Sequence, residues 1–109
     1  MNILSTKETG MGGKWVLVKY EENFYAYGTE SDLHSLLGFP VNQCGTKEEI
    51  IDHCESLAML CKKNINQYNK KLLKKKGNVE GWKLMIKHEQ RELEMLVDFA
   101  KILAQQNNV

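Results

Sequence analysis

One proline, one arginine and no long apolar run occur in these 109 residues. A membrane-spanning helix needs about 20 consecutive apolar residues, and nothing here approaches that. Residues 1–13 lack the apolar stretch of a secretory signal, so the expectation is a cytoplasmic protein that does not enter a membrane. Cysteine is scarce and odd in number, at Cys44, Cys54 and Cys61. Cys54 and Cys61 fall two turns apart on one predicted helix, roughly 10 Å along its axis, too far to bridge. Reduced thiols are therefore expected. Arginine is represented by Arg91 alone, against fourteen lysines. That removes most of the planar, forked side chains favoured for base readout and phosphate clamping. Lysine codons are A-rich, so the same bias fits an AT-rich genome such as that of a bacterium or phage.

Motifs that carry chemistry are missing as well. Gly10, Gly12 and Gly13 precede Lys14, but a phosphate-binding loop also needs Gly at position 8, Ser or Thr after Lys14, and a following helix. Glu8, Trp15 and a strand pattern stand there instead. Cys44, His53, Cys54 and Cys61 lack the paired spacing of zinc sites, and seam positions suit Cys54 and Cys61 as small apolar core residues. No cysteine-hydrolase signature and no Gly-x-Ser-x-Gly elbow occurs. Signatures of helix-turn-helix, ribbon-helix-helix and zinc-finger proteins are absent too. No cofactor, metal or catalytic residue is expected.

What is present is the composition of one ordinary globular domain, 42% apolar and 27% charged with a net charge of +1. The chain is organised around residues 46–76. Ile51, Cys54, Ala58, Cys61, Ile65, Tyr68 and Leu72 recur at alternating spacings of 3 and 4, a sustained heptad seam. Thr46 and Glu49 have the spacing of a capping box. Acids gather at the start of this helix and lysines at its end, as the helix dipole favours. Gly77 and Asn78 break and recap the chain. A second helix over 79–106 carries Val79, Trp82, Ile86, Leu93, Leu96, Ala100 and Leu103, with Glu89 in a slot that the pattern assigns to an apolar residue. A turn this short makes the pair antiparallel, with facing residue numbers that sum to about 154.

Ahead of the helices, residues 1–13 read as a flexible arm and residues 14–28 as a β-hairpin, with Asn23 suited to the left-handed turn position. A short helix is expected over 29–38, capped by Thr29 or Ser31 and ended by Gly38. The fold class is α+β: an N-terminal β-hairpin and short helix followed by a long antiparallel two-helix hairpin. Each long helix spans roughly 40–45 Å at 1.5 Å per residue. The hairpin and short helix cover about half of such a stripe, and the remainder argues for self-association, most simply a twofold homodimer.

Three functional readings follow from these residues. The first is a non-enzymatic protein that binds another protein, as an interaction module or stoichiometric inhibitor. A phage- or mobile-element-encoded anti-defence protein of the anti-CRISPR type is one such kind. Its contact residues are expected among Trp15, Tyr25 and Tyr27 on the hairpin and Met85, Glu89 and Phe99 on the last helix. The second is a nucleic-acid-binding regulator whose Lys62, Lys63, Lys70, Lys71, Lys74 and Lys75 lie along a phosphate backbone. The third is a small-ligand binder or enzyme with a site near His34, Cys44 and His53.

Overall fold

Val16, Leu17 and Val18 in one strand and Tyr25, Ala26 and Tyr27 in the next are all buried. Consecutive strand residues point to opposite faces, so this central pair must be covered on both sides. The computed structural model, which describes residues 2–33, 38–75 and 77–106, accounts for both covers. Strands β1 (Asn2–Glu8), β2 (Lys14–Glu21) and β3 (Phe24–Thr29) lead to helix α1 (Glu30–Leu33), a 3-10 turn at Val41–Gln43, and strand β4 (Cys44–Gly45). Two long helices follow, α2 (Lys47–Leu73) and α3 (Val79–Ala104). The strands form one antiparallel sheet in the order β1-β2-β3-β4.

Leu17 pairs with Tyr27, and Lys19 with Tyr25. Trp15, Leu17, Tyr25 and Tyr27 meet α2 and α3 on one face of the sheet. Val16, Val18 and Ala26 line the other face, where Phe39, Leu33 and Cys44 close over them. Thr29 caps α1 reciprocally: its amide donates to Asp32 Oδ2 at 2.9 Å, and the Asp32 amide donates to Thr29 Oγ1 at 3.3 Å. Gly28 lies tight beneath this cover, since a Cβ there would stand 2.8 Å from Phe39 Cδ1. Asn23 takes the expected left-handed conformation at φ 57°. Of the short helix expected over 29–38, residues 34–37 lie outside the described residues.

The first 13 residues differ from the sequence-based expectation of an arm. Asn2–Glu8 form an edge strand paired with β2 from Asn2↔Lys19 to Glu8↔Lys14. A bulge between Ile3 and Ser5 breaks the two-residue alternation that would have revealed it, and an edge strand needs little apolar content. Lys7 also forms an ion pair with Asp98 of α3. The glycine cluster is the turn between β1 and β2, closed by the Thr9 amide to Gly13 O at 3.0 Å.

Both expected helices are present. The Thr46 hydroxyl accepts from the Glu49 amide, and the Glu49 carboxylate accepts from the Thr46 amide, each at 3.2 Å. Asn78 caps α3 through the Gly81 amide at 3.0 Å. On α2 the buried residues include small ones (Cys54, Ala58, Cys61), and on α3 they are large (Met95, Leu96, Phe99, Leu103). Small against large lets the two helices and the sheet interdigitate. At the outer end, Lys47 Nζ donates to Gln106 O at 3.1 Å and ties the helix ends together. Among the described residues no helix is long and apolar enough to cross a membrane.

Candidate functional site

The molecule measures 52 × 25 × 19 Å, and the length comes from the helix pair. The buried helical residues lie at 50–61 on α2 and at 95–103 on α3, with none between 62 and 94 among the described residues. The sheet therefore covers only the half of the pair nearest the ends at 47 and 104, here called the proximal half. The distal half, ending at the 73–79 turn, extends past the strands.

Helical spacing carries one side of α3 from the covered half to the bare half. Asp98 pairs with Lys7 of β1. Two turns earlier, Arg91 lies so close under the β1–β2 turn that a Cβ on Gly10 would overlap its guanidinium. Two turns earlier again stands Leu84, with no strand above it and 68% exposed. Phe99 and Met85 are related in the same way. Phe99 is fully buried, with its ring 6.4 Å from Tyr27, whereas Met85 is 41% exposed. Met11 at the tip of the turn is 84% exposed. Between tip and helix lies a cavity of about 570 Å³ lined by Thr9, Gly10, Met11, Leu84, Met85, Lys87, His88 and Arg91. On α2, His53 packs against Tyr27 with ring centres 5.8 Å apart. Two turns on, Leu60 continues that side and is 50% exposed.

A polar cluster lies between the helices at the end of the covered half. Glu89 sits at the edge of the seam, half-buried, and its carboxylate accepts from Asn64 Nδ2 at a long 3.5 Å. His88 Nε2 is 3.6 Å from Glu92 Oε2. Burial, then the charge of Glu89, holds the Glu92 carboxyl above the usual carboxylate range, while His88 pulls the other way. The Cys61 thiol is pushed up to about 12 by burial, by its hydrogen bond to Glu89 and by the charges of Glu92 and Glu89. Ligand atoms of Cys61, Glu89 and Glu92 lie within 4.8 Å of one another, a set suited in type to a divalent cation. Cys61 comes from α2 and Glu89 and Glu92 from α3, so the cluster joins the two helices. Burial also pushes Cys54 up to about 12, with Glu55 adding to it, and raises Cys44, so neither is a ready thiolate nucleophile.

The structure divides the contact residues expected from the sequence. Trp15, Tyr25, Tyr27 and Phe99 are core residues, packed between the sheet and the helices and closed to a partner. Aromatics on a two-stranded hairpin read as surface anchors, and the wider sheet with its two covers is what buries them. Met85 lies on the cavity wall. Glu89 finds Asn64 and Cys61 as partners, while Tyr68 stacks on Trp82 at 5.6 Å instead. Lys62, Lys63 and Lys70 are exposed along α2, Lys74 and Lys75 are exposed just past its end, and exposed Lys71 lies 4.3 Å over the Trp82 ring. Cys44 and His53 pack on opposite faces of the sheet, so they form no common site. His34 lies outside the described residues. Leu84, Met11, Leu60 and Arg91 were not among the contact residues expected from the sequence. The signal for Leu84 was its place two turns before Arg91 and four before Asp98, which acquires meaning only once β1 is placed over α3.

No protein-family model, curated protein or solved structure matches this chain.

Proposed function

We propose that this chain is a non-enzymatic binding protein that occupies the surface of another protein, as an interaction module or a stoichiometric inhibitor. The observation behind this reading is the bare distal end, where Leu84, Met85 and Met11 surround an apolar cavity that no part of the described chain fills. Grouped apolar exposure of this kind marks interaction surfaces, whereas single exposed apolar residues are ordinary. An inhibitor of the anti-defence type, acting in an AT-rich phage or bacterial setting, is one form of this reading. A homodimer through the same end is the alternative form.

Capture from a lysate of the source organism and its host, with the wild-type chain beside Leu84→Glu, tests the reading. One protein retained in stoichiometric amount by the wild type and lost by the variant is expected. Identical retention by both chains contradicts it. Light scattering on the purified chain distinguishes the homodimer, which would appear at twice the 12.6 kDa chain mass. In the anti-defence form the captured protein belongs to a host defence complex, and producing the chain in an immune host restores phage growth.

Nucleic-acid binding is the second reading, favoured by Lys63, Gln67 and Lys70, which share one exposed stripe of α2 that Lys74 continues at its C-cap. Affinity for duplex DNA would then fall steeply with salt, and a flat response excludes it.

A further inference from the structure

We infer that the groove between the β1–β2 turn and α3 receives an acidic, amphipathic segment of another protein, an inference that rests on the protein-binding reading above. The whole chain is nearly neutral at +1, but residues 60–91 carry ten lysine or arginine side chains against two glutamates. The helix pair is therefore polarised lengthwise, and the groove lies in its basic half. Every ionisable side chain lining the groove is basic: Lys87, His88 and Arg91. Of these, His88 already faces Glu92. Among the described residues Lys87 and Arg91 form no ion pair. Glu8 and Glu94 flank Arg91 in the neighbouring hollow, beyond ion-pair distance.

The groove wall itself is apolar, from Met11, Leu84 and Met85. A phosphate backbone gains nothing from such a wall, whereas a leucine, methionine or phenylalanine side chain does. Methionine also adapts to partners of different shape. Carboxylates beside the apolar anchors would meet Lys87 and Arg91 and steer the approach. A second copy fits less well, because a twofold contact through this groove brings two basic rims together. Gly10 contributes by letting the turn lie directly on Arg91, which holds the guanidinium at the rim.

The test uses the full-length chain and a displayed random peptide library, with counter-selection on Leu84→Glu. Selected peptides are expected to carry Asp or Glu beside Leu, Met or Phe. Their affinity should fall at least about tenfold against Leu84→Glu and again against Lys87→Glu, with circular dichroism unchanged in both variants. Selected peptides without acidic bias, peptides that bind Leu84→Glu equally well, or no enrichment overturn the inference. So does displacement of the peptides by duplex DNA, which makes the occupant a nucleic acid. A wild-type dimer that Leu84→Glu converts to a monomer makes it a second copy. If the inference fails while lysate capture still depends on Leu84, the partner chemistry is wrong and the protein-binding reading stands. If capture is also independent of Leu84, both fail.

Discussion

The two halves of the helix pair share one seam but differ in what lies over it. In the proximal half, α2 contributes Ile50, Cys54, Ala58 and Cys61, α3 contributes Met95, Leu96, Phe99 and Leu103, and the sheet closes the third side. In the distal half Ile65, Tyr68, Leu72, Trp82 and Ile86 are only half-buried, because two helices alone cannot enclose a stripe. The lesson is that the helices run on beyond the part that the sheet covers. The surplus carries the exposed apolar groove and most of the basic charge.

The largest expected contrast compares Phe99→Ala with Met85→Ala, two residues related by helical spacing. Truncating fully buried Phe99 costs about 3–5 kcal/mol, while Met85→Ala stays within about 1 kcal/mol, read by urea unfolding. Similar losses at both sites would mean that the distal half is as well enclosed as the proximal half.

A smaller contrast lies within the β1–β2 turn. Gly10 and Gly12 have nearly the same positive φ, 85° and 86°, but only Gly10 presses on a side chain. Gly12→Ala should cost about 1 kcal/mol from backbone strain, and Gly10→Ala about 1–3 kcal/mol because Arg91 must also move. Equal unfolding midpoints for the two variants would remove Arg91 from the packing of this turn. At the proximal end, Thr46→Ala breaks the capping box and should cost about 1 kcal/mol.

Glu92 stands where the covered and bare halves meet. Its folded-state pKa is raised, so the folded chain holds that proton more tightly than the unfolded chain does. The stability this gives is fully present below the unfolded value of about 4.3 and is lost as pH rises through the folded value. Glu92→Gln should therefore raise the melting temperature at neutral pH, and the gain should shrink to nothing as pH falls towards 4. A gain independent of pH would mean that its surroundings do not disfavour the Glu92 charge. The smallest effect belongs to the distal tip, where Lys71→Ala should cost about 0.5 kcal/mol through loss of the contact over Trp82.

Much of the fold was legible because periodicity and capping are local. The capping box at Thr46, the antiparallel pair and the left-handed Asn23 all follow from residues near in sequence. Of the facing register, Asn64 meets Glu89 with a number sum of 153 against about 154 expected, whereas Tyr68 stacks on Trp82, a sum of 150 and about one turn away. The edge strand β1 was not legible, because its bulge at Ile3–Ser5 spoils the alternation and its hold on α3 is a long-range pair, Lys7 with Asp98. The two-residue β4 gives no pattern at all. Missing β1 also hid the groove, since Met11 sits on its turn and Leu84 matters only beyond its end. The same omission made Tyr25 and Tyr27 look available at a surface.

The most direct measurement is a three-way capture with the wild type, Leu84→Glu, and Val41→Glu as an exposed apolar control outside the groove. Val41 is 91% exposed and lies on the 3-10 turn before β4. A partner kept by the wild type and by Val41→Glu but released by Leu84→Glu is the predicted result. Retention by all three chains, or loss with Val41→Glu as well, would contradict the assignment of the bare helix end as the binding surface.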